Sequence, residues 1–248
     1  FEQCRFFFFL FTGELWQQVR LVRCEAEGPF KIGCADGEIM FEDCALEGMT
    51  RKQGGYGSQT QHFGAAICED GSSRFIRCRI NNVFAWAAKS LKFKSCVLGD
   101  ISANCRSRKG VLLIDECTGK GKQNFSGGGN EFSDIQVINS RLGHVEMISV
   151  SSKRLEVINS SLSLGFGAVD AKYDQAVFRN VKFQGSGFDC ALARFGVLEI
   201  DGCEFGTKGL QLYGEFDEIP NPGENPVYLT RLRQLTLRNL TLKSPRLD

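Results

Sequence analysis

Residues 91–98 read Leu-Lys-Phe-Lys-Ser-Cys-Val-Leu, and the recurrence of this phrase decides the fold. Its last six positions follow the pattern apolar-x-x-small-x-apolar, which occurs eleven times at a period close to twenty residues. The small position is held, in chain order, by Cys4, Cys24, Cys44, Cys78, Cys96, Cys117, Ser140, Ser160, Val181, Cys203 and, in the last copy, Leu240. Self-similarity at this period indicates a repeat architecture, in which each unit buries its apolar face against its neighbours.

The phrase predicts two strands that meet at a bend. Apolar residues alternate with others in its first half, which is typical of a half-buried strand, and the extra residue before the small position shifts the phase. Asp, Ser, Asn or Gly precedes the small position in seven of the eleven copies, and Asn and Gly tolerate a left-handed backbone. Gln3, Arg23, Arg77 and Glu116 depart from this pattern. The sequence therefore predicts left-handed bends at seven copies and leaves four open.

A second apolar pair, such as Val145 and Met147, follows most bends and predicts a third strand in each unit. Three short strands per unit predict an all-β fold: a right-handed parallel β-helix of about eleven coils, each of roughly 20 residues, forming a single domain over 1–248. This resembles the pectate-lyase-like superfamily, whose coils also place asparagine at a two-residue bend and stack like residues inside. The resemblance is one of architecture and covers nearly the whole chain. Pentapeptide-repeat helices match less well, because a five-residue period is absent.

Two long gaps between copies predict loop insertions, near 49–66 and 214–230. Loops on a rigid scaffold commonly carry binding residues, so we expect protein partners to contact them. The chain begins inside a copy of the phrase, and we expect a fragment or a processed chain.

The composition excludes several function classes. The 248 residues include 30 basic and 29 acidic ones, so the net charge of +1 provides no bulk attraction to nucleic acid or membranes. No apolar stretch reaches the roughly 18–20 residues that a membrane-spanning helix needs. His62 and His144 lack ligand or triad partners at useful spacing, and the chain has no Cys-x-x-Cys. The sequence thus predicts no cofactor, no metal and no membrane span, and it disfavours nucleic-acid binding.

The eleven cysteines are predicted to be reduced and buried. Seven of them share the small position of the repeat, and stacked residues about 4.8 Å apart with parallel Cα–Cβ bonds do not suit a disulfide, whose Cβ atoms lie about 3.8 Å apart. Reduced thiols favour a reducing intracellular compartment. On this basis we expect Cys96→Ser to cost about 1 kcal/mol or more, because it buries a hydroxyl that needs a partner.

A basic stripe is predicted twelve to thirteen residues after the small position. Its members are Lys109, Lys153, Lys172 and Arg194. On consecutive coils such cations could bind an acidic polysaccharide or another polyanion. The competing interpretation is that these are ordinary solvated residues at turns.

The resemblance also implies a possible catalytic group. Pectate lyases and their relatives act on acidic sugars with acidic calcium ligands and an arginine or lysine base on an outer wall. Here Asp170 and Asp174 flank Lys172, with Lys153 and Arg194 expected on adjacent coils. The recognisable signatures of the family, including its paired aspartates and the His-Gly-Gly of the galacturonases, are absent. The only candidate catalytic residues are therefore Lys172, Asp170, Arg194 and Lys153.

The first coil contains the run Phe6-Phe7-Phe8-Phe9-Leu10-Phe11. A strand with one wet face should alternate, so an unbroken apolar run predicts that both faces are covered. The cover is either the chain itself or a partner protein, and the predicted partner interface consists of Phe7, Phe8, Phe9 and Phe11. The sequence leads to two hypotheses: a non-catalytic scaffold subunit that binds protein partners in a larger assembly, or a carbohydrate-active enzyme or binder of acidic polysaccharide.

Overall fold

The fold was analysed in a computed structural model. It describes residues 1–7, 9–13, 17–28, 30–34, 36–48, 50–52, 60–62, 64–68, 70–105, 110–126, 131–185, 187–191, 193–206, 209–212 and 231–242. All regular elements among them are β-strands, and they form a parallel β-solenoid with three walls. The predicted fold class is confirmed.

Wall 1 is a ten-stranded parallel sheet formed by the strand that precedes each bend. Its strands are Gln18–Val22, Glu38–Glu42, Ser72–Ile76, Ser90–Lys94, Gly110–Asp115, Glu131–Ile138, Ser151–Ile158, Lys172–Arg179, Arg194–Asp201 and Arg231–Arg238. The register follows the repeat, since Phe41 lies beside Phe75 and Phe75 beside Phe93. These three rings stack nearly parallel with centroids 4.8 and 4.9 Å apart, which is the spacing of neighbouring strands.

Walls 2 and 3 follow the bend in each coil. Wall 2 contains Arg5–Phe6, Glu25–Glu27, Ala45–Glu47, Arg79–Asn81, Val97–Leu98, Thr118–Gly119, Lys182–Phe183, Glu204–Phe205 and Thr241–Leu242. Wall 3 contains Phe9–Gly13, Phe30–Cys34, Gly64–Cys68, Val83–Ala87, Ile101–Cys105, Lys122–Ser126, Phe188–Ala191 and Leu210–Leu212. Two strands run through both walls, Arg141–Ile148 and Ser161–Val169, and they join walls 2 and 3 into one sheet of nineteen strands.

The first predicted insertion contains an antiparallel hairpin of Thr50–Lys52 with Thr60–His62. Residues 64–66, which the sequence assigned to this insertion, belong instead to the wall 3 strand Gly64–Cys68, because Ala66 is a buried core position beside Ile32. The second predicted insertion, 214–230, lies outside the described residues.

The ten wall 1 strands separate the eleven bends, so the chain completes fewer turns than the eleven coils that the sequence predicted. Among the described residues, the first copy has no wall 1 strand before its bend, and the last has no wall 3 strand after it. The copies at the two ends therefore belong to incomplete coils.

The bend itself is the same in all eleven copies. The residue before the small position has a positive φ in each: Gln3, Arg23, Asp43, Arg77, Ser95, Glu116, Asn139, Asn159, Asn180, Gly202 and Asn239, with φ between 49° and 62°. The four copies that the sequence left open share the geometry of the other seven. At Gln3, Arg23, Arg77 and Glu116 the fold imposes a left-handed backbone on residue types that do not favour it.

The small position follows the bend, and in five of the copies its cysteine or serine side chain links consecutive coils through a hydrogen bond. The Cys96 thiol donates to the carbonyl oxygen of Lys94 at 3.3 Å, and its sulfur accepts the backbone N–H of Cys78 at 3.4 Å. Ser140 does the same with its hydroxyl, which accepts the N–H of Cys117 at 3.1 Å. A small side chain with both a donor and an acceptor thus pairs a buried backbone amide that lies at the bend.

This geometry changes the expectation for Cys96→Ser. A serine hydroxyl would find the partners that Cys96 uses, so we now expect a loss of less than about 1 kcal/mol in the free energy of unfolding. Cys96→Ala removes the acceptor for the Cys78 N–H and should cost about 1–3 kcal/mol. Urea unfolding of the two variants would measure the difference. An equal cost for both substitutions would contradict the role of the side chain as a link between coils.

The bend also predicts a stabilising substitution. Glu116 has a φ of 54°, so Glu116→Gly should raise the free energy of unfolding by about 0.5–1 kcal/mol, because glycine adopts this backbone without steric cost. Asp115→Gly is the matched control, since Asp115 ends a wall 1 strand, where glycine is destabilising. Urea unfolding should show opposite signs for the two changes, and a loss of stability in both would argue against strain at the bend.

Candidate functional site

Two residues of the predicted basic stripe lie side by side at the start of wall 1 strands. Lys172 begins the strand Lys172–Arg179 and Arg194 begins Arg194–Asp201, and the two are direct register partners. Both side chains are exposed. Because neighbouring strands lie about 4.8 Å apart, the two cations form a short column on the outside of the solenoid.

Lys153 lies in a neighbouring column. Its strand pairs Ser151 with Lys172 and Ser152 with Tyr173, and the pairing then resumes one residue later, so that Lys153 and Asp174 occupy equivalent positions between the paired residues. The sequence placed Lys153 in line with Lys172, a position that Ser151 holds in the structure. Lys109 lies outside the described residues.

A small pocket brings Lys153 and Lys172 together despite this offset. The pocket has a volume of about 90 Å³ and is lined by Phe132, Ser151, Ser152, Lys153, Lys172 and Asp174. The ammonium groups of Lys153 and Lys172 and the Ser151 hydroxyl can hold a carboxylate or another small oxyanion beside Asp174, whereas the Ser152 hydroxyl is bonded to the backbone of Arg154. The sequence did not predict the two serines, and the only signal for them was the run Ser151-Ser152 directly before Lys153.

Asp170 lies apart from this pocket lining. It occupies the corner between walls 3 and 1 with a φ of 49°, and its Oδ2 accepts a hydrogen bond from the Ser149 hydroxyl at 3.2 Å. Ser149 holds the corner of the preceding coil with a φ of 50°. The Asp170 carboxylate therefore links two corners, and the structure groups Lys172 with Asp174 in the pocket and not with Asp170.

The N-terminal phenylalanines divide into an inner and an outer set. Phe6 and Phe11 are half-buried and pack on the core, with the Phe1 ring edge-on to both at 6.1 and 5.4 Å. Phe7 and Leu10 point outwards and are 66% and 63% exposed. The chain therefore covers the inner face itself, and Phe7 and Leu10 lie on the outer face, for which a partner protein was the predicted cover.

The four residues of the predicted partner interface differ in where the structure places them. The Arg5 guanidinium lies 5.1 Å from the centroid of the Phe7 ring. Phe8 lies outside the described residues, and Phe9 is part of the strand Phe9–Gly13. Phe11 packs against the core. Of the four predicted residues, Phe7 is the one whose side chain the structure shows on the surface, next to Leu10, which the sequence did not select.

An ionic cluster near the first bends was missed by the sequence analysis. Arg77 makes a bidentate pair with Asp43, at 2.7 and 2.9 Å, and also contacts Glu42 at 2.7 Å. Hydrogen bonds from Arg20 and Arg77 lower the pKa of Glu42, and one from Arg77 lowers that of Asp43. The signal was present, since Arg23, Asp43 and Arg77 occupy the same repeat position with alternating charge.

The described cysteines are mostly buried thiols. Ten are described as free thiols, nine of them buried and Cys4 partly exposed. A hydrogen bond with the Cys117 thiol, together with burial, raises the pKa of Cys96 to about 12, and burial is the main cause that raises the pKa of Cys68 to about 12. Cys34 lies 2.8 Å from Cys68 between sulfur atoms. Thiols with a raised pKa are weak nucleophiles and weak metal ligands at neutral pH.

Within the described part of the chain, no group of three or more histidine, cysteine or acidic residues could hold a metal ion. No helix there is long and apolar enough to cross a membrane. No protein-family model matches the chain, and comparisons with curated proteins and with solved structures found no match. The class of protein is therefore defined by its architecture, as a parallel β-solenoid.

Proposed function

We propose that this chain is a non-catalytic interaction module, a rigid β-solenoid subunit that binds a protein partner at its first coil. The observation that carries the proposal is the exposure of Phe7 and Leu10, at 66% and 63%. Both belong to a coil in which Phe6 and Phe11 pack against the core. Large apolar side chains that remain on the surface of an otherwise well-packed coil are typical of contact surfaces.

The contact between Arg5 and Phe7 supports this proposal. Arginine and aromatic residues are enriched in the energetically important part of protein interfaces. The guanidinium over the ring holds Phe7 in a defined position, so less side-chain entropy is lost when a partner covers it. Arg5 is in turn held by Glu27, whose Oε1 lies 2.9 Å from Nη2. The surface is thus preorganised by the second coil.

The arrangement of the predicted catalytic residues favours a non-catalytic role. Lys153, Lys172, Asp174 and Arg194 are all exposed, and the Asp170 carboxylate accepts a hydrogen bond from Ser149 at the corner of the preceding coil. General acid–base catalysis depends on groups held in a site that excludes water and shifts their proton affinity. The pocket of about 90 Å³ encloses far less than one sugar unit with its neighbours needs.

The first test targets the exposed pair. In the native source, the double change Phe7→Ser and Leu10→Ser should release the chain from its complex, which native size-exclusion chromatography would detect as a smaller particle. The melting temperature should fall by less than about 2 °C, because neither side chain is buried. Val97→Ser is the matched control, since Val97 is 52% exposed on wall 2 of a central coil. An unchanged particle size, or the same change with Val97→Ser, would contradict the proposal.

A second candidate function is the binding of an acidic polysaccharide. It is favoured by the register pairing of Lys172 with Arg194 and by the pocket that Lys172 shares with Lys153 and two serines. A polymer with one carboxylate per sugar could place its charges along such a column. Binding of this kind is electrostatic and should weaken as salt is added.

This second function is tested with polygalacturonate as the probe. Lys172→Ala combined with Arg194→Ala should lower the affinity about tenfold, corresponding to the loss of roughly 1.4 kcal/mol from two charge contacts. Lys31→Ala, an exposed lysine on wall 3, is the control and should leave the affinity unchanged. Polygalacturonate that binds equally to both variants would exclude the column as its site. Cleavage that is lost in Lys172→Ala at unchanged melting temperature would instead establish an enzyme.

A further inference from the structure

Two buried cysteines lie directly beside each other on consecutive wall 3 strands. Cys34 ends the strand Phe30–Cys34, Cys68 ends the strand Gly64–Cys68, and the two are register partners. Their exposed fractions are 3% and 0%. Their sulfur atoms lie 2.8 Å apart, although neighbouring strands lie about 4.8 Å apart. The two side chains therefore converge, and the expectation that stacked cysteines stand parallel does not hold for them.

The cysteines at the small positions are held differently. The Cys96 thiol lies 3.3 and 3.5 Å from the carbonyl oxygens of Lys94 and Phe75, and its sulfur accepts the N–H of Cys78. Backbone bonds to two coils thus fix the position of this sulfur. For the Cys34 thiol, the contact with Cys68 is the one hydrogen bond among the described residues. A covalent bond between Cys34 and Cys68 would therefore disrupt few existing contacts.

The geometry of this pair suits a disulfide. Disulfide-bonded residues have Cα atoms about 4.4–6.8 Å apart, and the strand spacing of about 4.8 Å falls within this range. The two sulfurs would have to approach by less than about 1 Å to reach the bonded distance of about 2.05 Å. Small side-chain rotations can supply such a movement, so the backbone of the two coils can keep its register.

The hydrogen bond between the two thiols makes them chemically unequal. Burial is the main cause that raises the pKa of each thiol, and the bond to Cys34 helps to raise the pKa of Cys68 to about 12. The same bond lowers the pKa of Cys34, against burial and the Asp36 carboxylate, which both raise it. Cys34 is therefore the thiol that ionises more readily, and the thiolate is the nucleophilic form. Oxidation should begin at Cys34 and be slow at neutral pH.

We infer that Cys34 and Cys68 are an oxidation site, at which a peroxide closes a disulfide between consecutive coils. The Cys34 thiolate attacks one oxygen of hydrogen peroxide, which gives a sulfenic acid and a hydroxide that takes up the proton released by Cys34. The Cys68 sulfur then attacks the Cys34 sulfur and displaces its oxygen as water. The two thiols lose two electrons and two protons in total, and one peroxide becomes two water molecules.

The disulfide would tie the coil that carries the first insertion. The segment between Cys34 and Cys68 spans 34 residues and includes the hairpin of Thr50–Lys52 with Thr60–His62. Cys68 and its next register partner, Ala87, are separated by a coil close to the twenty-residue period. A crosslink across a longer segment removes more conformational freedom from the unfolded chain. Oxidation should thus stabilise the solenoid where its repeat is interrupted.

This inference goes beyond the proposed contact at the first coil. The pair lies inside the solenoid, and neither sulfur belongs to the surface formed by Phe7 and Leu10. The test of the disulfide therefore does not depend on whether a partner binds that surface.

Peptide mapping of the full chain tests the inference. The folded protein is treated with hydrogen peroxide, the remaining thiols are blocked with N-ethylmaleimide in urea, and a non-reducing digest is analysed by mass spectrometry. The main product should be one pair of peptides linked through Cys34 and Cys68, with two of the eleven thiols lost. Dithiothreitol should restore both thiols, because a disulfide is reducible and a sulfinic acid is not.

The melting temperature gives a second measurement. Peroxide should raise it by at least about 5 °C in the unaltered chain, and this gain should be absent in Cys34→Ala and in Cys68→Ala. Cys203→Ser is the matched control, because Cys203 is also buried and its neighbours in the column, Val181 and Leu240, carry no thiol. This variant should keep both the link and the gain. The link is mapped on the unaltered chain, so the test stays decisive if an alanine variant folds poorly.

Four results would overturn the inference. Free thiols at both residues, under conditions that oxidise the partly exposed Cys4, would show that peroxide does not reach the pair. A sulfinic acid at Cys34 without a link to Cys68 would show that the two sulfurs do not meet. Links among the cysteines of the small positions in equal yield would remove the distinction of this pair. A link between Cys34 and Cys68 that leaves the melting temperature unchanged would show that it does not tie the coil.

Discussion

The structure depends on the hydrogen bonds that join consecutive coils at the bends between walls 1 and 2. The bend residue adopts a left-handed backbone, and in ten bends its N–H donates to the last wall 1 carbonyl of the next coil, as Arg77 does to Lys94 at 2.9 Å. One residue later, in five of the copies, a thiol or hydroxyl accepts the amide of the preceding coil, as Cys96 does from Cys78. These bonds fix the register between coils, and the register brings residues about twenty apart into vertical contact. The stacked phenylalanines and the ion pairs between coils follow from it.

The sequence predicted this architecture because the repeat encodes the register directly. The sequence did not predict the backbone geometry of four bends. Gln3, Arg23, Arg77 and Glu116 have a low preference for a left-handed backbone and yet adopt it. The reason is tertiary: eleven bends in one stack share one geometry, and the bonds on both sides of a bend outweigh a local penalty of about 1 kcal/mol. The propensity of a single residue therefore underestimates how often a left-handed backbone forms at a position where the coils above and below already have that geometry.

The candidate site was less predictable, for an equally physical reason. Counting from the small position identified Lys172 and Arg194 as neighbours, which the pairing of their strands shows. The count failed for Lys153, because the register shifts by one residue between Leu142 and His144, where the next coil is one residue longer. A one-residue difference moves a side chain to another column. Which outward side chains line up on consecutive coils therefore depends on local one-residue irregularities, and the apolar pattern of the core does not reveal these.

The two ends of the solenoid differ in a way that follows from these bonds between coils. At the first coil, residues 1–3 bond to the strand Gln18–Val22, and Val19 and Leu21 are nearly fully buried. At the last described coil the equivalent columns end in Leu235 and Leu237, which are both more than 40% exposed. A stack held by bonds between coils pairs the backbone of each interior coil on two sides. Among the described residues, the terminal wall 1 strands Gln18–Val22 and Arg231–Arg238 each pair with one wall 1 strand only, so the burial of their inward side chains depends on what else lies against that face.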